Sequence, residues 1–410
     1  MNNTPELLSP AGDLDKMRFG IAYGADAVYM AGTRFGMRAA ATNFDDNALR
    51  EGIAYAHAHG VKCYITVNIM PSNRDLPALP AYLELLQDAG ADALIIADVG
   101  VLRMARRYAP KVPVHISTQT SILNHEAANY WADEGTERIV LARELSLEEI
   151  AEIRAKTPKE LEIEAFVHGA MCISYSGRCL ISQYMTGRDA NHGACAQPCR
   201  WNYSLMEEKR PGQFFPVEED GRGTYLYNSK DMCMIEHVPE LIKAGITSFK
   251  IEGRNKTAYY AACVTGAYRA AIDTYKKDPE NFVLPQFCRD EVNKVSHREY
   301  YTGFYFGNQE NGQHYGDSQY IREYEVVGMP VECDDSGKAV FALKNRFFDG
   351  EELELIQPGQ APYTFCAKNV TDDEGTEREL FNVPQMRVHF AFPFKVSEWA
   401  ILRKVKERPE

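Results

Sequence analysis

The stretch Gly90–Tyr108 reads GADALIIADVGVLRMARRY and contains one complete strand and helix unit. Its first half includes Ala93–Ala97, a short apolar run typical of a buried strand, and Gly90 stands where the C-terminal cap of a preceding helix is expected. The second half, Val99–Tyr108, has the apolar spacing of an amphipathic helix. A similar opening, GADAVY, occurs at Gly24, which indicates that the unit is repeated.

Apolar strand-like runs alternate with helical patterns through the first two thirds of the chain. The strand candidates are Glu6–Leu8, Ala27–Met30, Lys62–Val67, Ala93–Ala97, Val114–Ser117, Arg138–Leu141, Leu161–Val167 and Ser248–Ile251. Eight units in roughly 275 residues match a (β/α)8 TIM-like barrel in number and length. A doubly wound open sheet is the alternative, but it normally has a glycine fingerprint after its first strand, and the turn SPAGD has one glycine.

Helix boundaries are also indicated by single residues. Asp45 and Ser146 have the side chains that accept hydrogen bonds at helix N-termini, and Ser146 precedes Glu149 at the spacing of a capping box. Glycines follow the last apolar position of several helices, as C-terminal caps do, at Gly24, Gly60, Gly90 and Gly245.

Three regions are predicted along the chain. Residues 1–275 form the α/β barrel, with a cysteine-rich insertion at residues 169–223 after the seventh strand. Residues 276–322 form an irregular connecting segment. Residues 323–410 contain short, evenly spaced strand-like runs, which predict a small C-terminal β-barrel domain. A long insertion at the C-terminal end of a barrel strand is expected to be functional, because barrel enzymes have their active sites at that end.

The composition is that of a soluble protein with a net charge of −13. No signal peptide and no membrane-spanning run is visible, so we expect a cytoplasmic protein. An acidic chain is not a general duplex-DNA binder, and any nucleic acid would require a local basic patch. The helical stretch that could form one contains Arg103, Arg106, Arg107 and Lys111, although a solvated helix end is the alternative interpretation.

Four of the ten cysteines lie within the segment His168–Trp201, at Cys172, Cys179, Cys195 and Cys199. In a reducing compartment, clustered thiols serve metals or chemistry more often than disulfides. Structural zinc sites usually pair cysteines two to four residues apart, and an iron–sulfur cluster tolerates more irregular spacing. The pattern therefore favours an iron–sulfur cluster, with zinc or free redox thiols as alternatives. Cys233 is a further thiol that could replace one ligand.

Polar residues follow the ends of several predicted strands and would line the mouth of the barrel. The candidates for catalysis are Arg143, His168, Glu252 and Arg254: the arginines could bind a carboxylate or phosphate, and Glu252 could act as an acid or base. Ordinary ion pairs at the barrel rim are the alternative. Other polar positions expected at this mouth are Ser9, Tyr29, Asn68, Asp98, Ser117, Gln119, Glu144 and Glu164.

The segment from Glu164 to Ser182 contains EAFVHGAMC, with six residues between Cys172 and Cys179, and it resembles the signature of peptidase family U32, the collagenase-like proteins. The stretches PELLSPAGD, GADAVY, NHGACAQPCRW, NSKDM and FKIEGR are similar to the same family. The likeness covers roughly residues 5–275, and the C-terminal strands resemble the small terminal β domain of that family.

This resemblance implies two kinds of activity. Some members are collagen-degrading peptidases of unknown catalytic type, whereas others act in oxygen-independent hydroxylation of RNA or of a small molecule. The chain is most similar to the branch that converts tRNA wobble uridine to 5-hydroxyuridine with prephenate. Several members carry iron–sulfur clusters, which implies a 4Fe–4S cluster on Cys172, Cys179, Cys195 and Cys199.

The predicted function is therefore iron–sulfur-dependent tRNA hydroxylation with a small carboxylated donor. The expected partners are tRNA and a prephenate-like co-substrate. A collagenase-like peptidase, which would be a hydrolase, is the alternative, although no recognisable nucleophile and base motif is present. A non-catalytic scaffold that uses the cluster structurally is a third possibility, for which the sequence has no positive feature.

Overall fold

Eight parallel strands close into a barrel in the computed structural model, which describes residues 4–37, 42–172, 179, 181–203, 219–220, 223–225, 230–307 and 320–406. The strands up to residue 301 are β1 (Glu6–Pro10), β2 (Ala27–Met30), β3 (Lys62–Val67), β4 (Ala93–Ile96), β5 (Val114–Ile116), β6 (Arg138–Val140), β7 (Glu162–Ala170), β8 (Asn202–Tyr203), β9 (Glu219–Asp220), β10 (Gly223–Tyr225), β11 (Asp231–Cys233), β12 (Ser248–Ile251) and β13 (Tyr300–Tyr301). The barrel consists of β1 to β7 and β12, and it is closed because β12 pairs in parallel with both β1 and β7. The predicted (β/α)8 barrel is confirmed.

The helices are α1 (Leu14–Ala22), α2 (Asp46–Ala58), α3 (Leu79–Ala89), α4 (Val99–Tyr108), α5 (His125–Asp133), α6 (Leu147–Ala155), α7 (Ile181–Thr186), α8 (Val238–Lys243), α9 (Ala258–Lys277) and α10 (Gln286–Asn293). The predicted caps are confirmed: Asp45 accepts from the backbone N–H of Ala48, and Ser146 forms its capping box with Glu149. Gly90 has a φ of 85°, a left-handed conformation that favours glycine at a helix end.

Strand β7 is longer than the barrel requires. It was predicted to end at Val167, but it continues to Ala170, and its last residues pair antiparallel with β11. The register against β12 shifts at this point, since Lys250 pairs with Phe166 and Ile251 with His168, which leaves one extra residue in β7. The chain then enters the insertion, where β8, β10 and β9 form a three-stranded sheet.

The interior of the barrel near the start of its strands is filled by a network of charges. The fully buried guanidinium of Arg138 donates to Glu6 Oε1 at 2.6 Å and to Glu164 Oε2 at 3.0 Å. Lys250 Nζ donates to the second oxygen of Glu164 at 2.5 Å. Since Glu164 is completely buried in this network, its predicted place at the mouth was wrong. The network closes one end of the barrel, which leaves the other end for a site.

The C-terminal strands are β14 (Tyr324–Cys333), β15 (Lys338–Leu343), β16 (Phe347–Phe348), β17 (Glu352–Ile356), β18 (Tyr363–Cys366), β19 (Thr371–Asp372), β20 (Leu380–Phe381), β21 (Arg387–Ala391) and β22 (Ile401–Val405). Seven of them form an antiparallel sheet in the order β18-β17-β22-β14-β15-β21-β19, and β16 pairs with β20. Within the described residues no pairing joins β18 to β19, so this sheet is a half-barrel around its own apolar core.

The half-barrel packs against α1, α9 and α10. Arg403 of β22 is fully buried there and donates to both oxygens of Glu291, at 2.7 and 2.5 Å, and through Nε to Glu354 at 2.8 Å. Trp399 packs edge-on against Phe19 of α1, with ring centres 5.3 Å apart. A buried, bidentate ion pair and aromatic contacts therefore fix this domain to the barrel. None of the described helices is both long and apolar enough to cross a membrane.

Candidate active site

A chain of hydrogen bonds at the barrel mouth joins the segments that follow strands β2, β3 and β5. The backbone N–H of Met37 donates to Asn68 Oδ1 at 3.1 Å, and Asn68 Nδ2 donates to Gln119 Oε1 at 2.7 Å. Ser117 Oγ donates to the same Gln119 oxygen at 3.2 Å. The predicted positions Asn68, Ser117 and Gln119 are thus brought together after β3 and β5.

Arg254, which follows β12, reaches this same group. Its guanidinium donates to the carbonyl oxygen of Met37 and lies 3.4 Å from Thr66 Oγ1. The side chain is almost completely buried, so its charge acts in a region of low dielectric constant. The structure places this predicted site residue at the mouth on the side of β2 and β3.

Arg143 lies on another side of the mouth. Its guanidinium stacks 3.9 Å from the ring centre of Phe166, and Nη1 donates to the carbonyl oxygen of Ala170 at 3.0 Å. Both partners belong to β7. Because Arg254 contacts the β2 and β3 side, the two predicted arginines are held apart, and a ligand with two anionic groups is the kind that could use both.

Glu252 anchors the end of β7 through its backbone. Its N–H donates to the carbonyl oxygen of His168 at 2.8 Å, and its carbonyl oxygen accepts from Tyr260 Oη at 2.9 Å. A Cβ on Gly169, whose φ is 108°, would lie 2.5 Å from that same carbonyl oxygen. Glycine is therefore required where β7 passes so close to Glu252. The carboxylate is half-buried, and its acid or base role stays a prediction.

His168 faces away from the mouth. Its ring is 1 % exposed and lies among the rings of Tyr260, Tyr268 and Tyr300, with centres 5.2 to 6.0 Å away. Tyr300 donates its own proton to the carbonyl oxygen of Val292, so His168 Nε2, at 3.3 Å, is assigned as the donor to Tyr300 Oη.

The surroundings of His168 keep it neutral. Burial, together with the positive charges of His297 and Lys256, lowers the pKa of His168 to about 3. Nδ1 is buried and has no hydrogen-bond partner among the described residues. This placement favours a structural role, and the catalytic role of His168 stays a prediction.

The cysteine-rich insertion contacts the mouth through residues near its middle. The backbone N–H of Met70, after β3, donates to the carbonyl oxygen of Asn191 at 3.1 Å. His192 lies between Asp189 and Asp75, with nitrogen to oxygen distances of 2.6 and 3.6 Å. The insertion therefore leaves β7 and returns across the barrel end to the β3 side.

Two side chains hold the cysteine-bearing parts of this insertion together. The Asn191 amide accepts from the backbone N–H of Cys179 and donates to its carbonyl oxygen, both at 3.2 Å. Ser182 Oγ accepts from the backbone N–H of Ala196 at 3.0 Å. Sequence reasoning missed Asn191 and Ser182, because no spacing or periodicity separates them from other polar loop residues.

The four cysteines have the donor chemistry that a cluster requires. Cys179 Sγ accepts from the N–H of Ile181 and Cys195 Sγ accepts from that of Gln197, both at 3.4 Å. Such N–H donors stabilise a thiolate, and Gln197 takes the left-handed conformation that directs one of them. The four cysteines are in the reduced form and at least partly accessible: Cys172, Cys179, Cys195 and Cys199.

These thiols are not yet gathered around one point. Across the described part of the chain, no group of three or more His, Cys, Asp or Glu side chains is placed to hold a metal ion. Binding a cluster would have to draw the sulfur atoms together. Cys233 is less suited, since burial raises the pKa of its thiol to about 12 and its strand neighbour is His168.

The predicted basic patch is at the opposite end of the barrel. Helix α4 begins beside the mouth and runs away from it, so Arg106, Arg107 and Lys111 lie near the starts of the strands. Arg106 forms an ion pair with Glu134 at 2.8 Å, and Arg107 stacks on Tyr108. RNA binding by this patch stays a prediction, but its cations are remote from the candidate site.

Comparison with known proteins gives matches over both domains. The model of peptidase family U32 matches residues 12–315, and that of the peptidase family U32 C-terminal domain matches residues 322–403. The chain is 39 % identical over 404 residues to tRNA hydroxylation protein P1 of Bacillus subtilis (strain 168), which covers 98 % of this chain and 95 % of that protein.

Two further relatives come from Escherichia coli (strain K12). The chain is 37 % identical over 419 residues to its tRNA hydroxylation protein P, with 90 % of each chain covered. It is 40 % identical over 332 residues to its 23S rRNA 5-hydroxycytidine synthase, covering 80 % of this chain and 48 % of that protein. This chain therefore spans about half the length of the second relative.

Proposed function

This chain belongs to peptidase family U32, and we propose that it hydroxylates tRNA, converting the wobble uridine to 5-hydroxyuridine. The observation that carries the proposal is the similarity over nearly the whole of both chains to tRNA hydroxylation protein P1, at 39 % identity. A relative that is named for 5-hydroxycytidine synthesis on rRNA supports the same type of chemistry, the addition of a hydroxyl group to a pyrimidine.

An iron–sulfur cluster, of the 4Fe–4S type, is the proposed cofactor. Cys172, Cys179, Cys195 and Cys199 would hold it, and their donor set of four reduced, accessible cysteines supports this assignment. A bound cluster would supply electron transfer. The backbone donors to Cys179 and Cys195 would stabilise their thiolates, and Asn191 would keep the segment positioned at the mouth.

A prephenate-like donor is the proposed co-substrate. It carries two carboxylates, and Arg143 and Arg254 offer two guanidiniums on different sides of the mouth. Glu252, whose backbone holds the end of β7, is the proposed acid or base. The net charge of −13 opposes general RNA binding, so tRNA is expected to bind through local contacts.

The peptidase alternative rests on the family name. In the described part of the mouth, Ser117 donates its proton to Gln119, and His168 is turned into the tyrosine cluster. Neither residue pairs with the other as a nucleophile with its base.

Two measurements test the proposal. In a Bacillus subtilis strain that lacks its tRNA hydroxylation proteins P1 and P2, this chain should restore 5-hydroxyuridine-derived nucleosides in digested tRNA, measured by mass spectrometry. Protein purified without oxygen should be coloured and contain iron and sulfide. An unaltered nucleoside profile would refute hydroxylation, and colourless, iron-free protein that cleaves gelatin would establish the peptidase instead.

A further inference from the structure

The amide nitrogen of Gln119 is a buried donor at the barrel mouth, and the described part of the chain leaves it without an acceptor. The residue is 5 % exposed, and Nε2 has no hydrogen-bond partner among the residues that the structure describes. An unsatisfied buried donor destabilises a fold, because the group loses its hydrogen bonds to water without replacing them. Its presence at the end of the barrel where active sites of this fold lie indicates a group whose partner arrives from outside the chain.

The orientation of the Gln119 amide follows from the hydrogen-bond chain. A backbone N–H can only donate, so the atom of Asn68 that faces Met37 N must be the oxygen. The NH2 group of Asn68 therefore faces Gln119, and the Gln119 atom that accepts its hydrogen bond must be Oε1. The oxygen also accepts from Ser117. Both hydrogens of Nε2 are thus directed away from these partners.

A positive charge lies on the same side of the mouth. Met37 links the two groups, because its N–H donates to Asn68, which binds Gln119, and its carbonyl oxygen accepts from Arg254. The side chain of Arg254 is 4 % exposed. A buried guanidinium and a buried amide donor linked through the same hydrogen-bond chain favour an anionic ligand, and a carboxylate has two acceptor oxygens to offer.

We propose that Gln119 and Arg254 form a subsite for one carboxylate of the small-molecule co-substrate, with Gln119 Nε2 as a direct donor. Asn68 and Ser117 are positioning residues, which hold the amide in the orientation that donates. This inference rests on the proposed function for the identity of the co-substrate. The hydrogen bond from Gln119 would be a neutral contact to the co-substrate, dependent on the orientation of the amide, in addition to the charged contacts from the arginines.

The test replaces Gln119 by glutamate. Gln119→Glu keeps an oxygen for Asn68 and Ser117 and replaces the donor by an acceptor, with almost no change in shape. Binding of prephenate is measured by isothermal titration calorimetry at pH 7.5, without oxygen, on the full chain. We expect wild-type protein to bind and Gln119→Glu to bind at least about tenfold more weakly, since a hydrogen bond to a charged group is lost and reversed.

The matched control is Gln357, which is also 5 % exposed but lies in the half-barrel. Both ends of its amide have partners, since it donates to Gln360 and accepts from Ser397 N–H. Gln357→Glu should bind prephenate as wild type does. If Gln119→Glu does not fold, as judged by circular dichroism, Gln119→Met removes the donor without adding charge and should also weaken binding.

Three outcomes would overturn the subsite: binding by Gln119→Glu as tight as wild type, equal weakening by the Gln357 control, or no binding of prephenate by the wild type. The last result would leave tRNA hydroxylation standing if nucleosides are still restored in the Bacillus strain. Weakened binding in Gln119→Glu together with an unaltered nucleoside profile would support the subsite and refute the proposed function.

Discussion

Replacing Arg403 by methionine is expected to separate the half-barrel from the barrel. The guanidinium is fully buried, and it makes both hydrogen bonds to Glu291, which is itself 6 % exposed. Arg403→Met would leave the Glu291 carboxylate buried with Lys294 Nζ at 3.7 Å as its remaining cation. Removing one partner of a buried pair typically costs about 3–5 kcal/mol, because the other charge stays desolvated.

A double variant distinguishes the contribution of the buried ion pair from that of the surrounding packing. Replacing both residues, as Arg403→Met with Glu291→Met, removes the orphaned carboxylate and should recover most of the lost stability. Glu354 keeps Lys294 at 2.9 Å in either variant. As a surface control in the same domain, Arg387→Met breaks an exposed pair with Glu332 and should leave the unfolding transition unmoved.

Trp399 reports on this interface, because it packs against Phe19. Urea unfolding is followed by its fluorescence in a background where the other two tryptophans, Trp131 and Trp201, are replaced by phenylalanine. Arg403→Met should lower the midpoint of this transition and the double variant should restore it. A single variant with the wild-type midpoint, or a double variant less stable than the single one, would show that the buried pair does not hold the domains together.

Three other predictions concern the barrel and its insertion. The pKa of His168 is lowered from 6.5 to about 3, so between these pH values the imidazole is protonated in the unfolded chain but not in the native protein. Stability should therefore fall as the pH drops from 6.5 toward 3. His168→Phe should flatten that part of the pH profile in thermal unfolding, and a profile identical to that of the wild type would show that another group is responsible. Cys179→Ala should abolish the visible absorbance and the bound iron of anaerobically purified protein, whereas Cys233→Ala should keep both; an unchanged spectrum in the first variant would show that Cys179 is no ligand. Asn191→Ala removes two hydrogen bonds to the Cys179 backbone and should lower the iron content without lowering the melting temperature of the barrel, and full iron loading would contradict its holding role.

Much of the barrel was predictable because local features agree with the fold. The apolar runs, the cap at Asp45 and the left-handed glycine at Gly90 each depend on residues close in sequence, and all were found. The end of β7 was not predictable in this way. Its pairing with β11 joins residues about sixty positions apart, such as Ala170 and Asp231, and no local pattern signals that contact.

The same register shift explains why His168 was expected at the mouth. Residues Phe166 and His168 have the same parity along a strand, so regular alternation would place both side chains inside the barrel. The extra residue opposite Lys250 and Ile251 reverses the faces beyond it. Phe166 therefore packs under Arg143 inside the mouth, whereas His168 joins the tyrosines of α9 and β13.

The donor at Gln119 shows a second kind of information that local sequence lacks. Which atom of a side-chain amide is left to bind a ligand depends on the partners of its other atom. For Gln119 the assignment starts at the backbone N–H of Met37 and passes through Asn68. Those residues come from three different strand-to-helix connections, so only the closed barrel brings them into one line. The ends of the predicted strands identify Gln119 and Arg254 as polar residues of the mouth. The hydrogen-bond chain adds that the free end of the Gln119 amide is a donor, and this is why the proposed ligand is an anion rather than a cation.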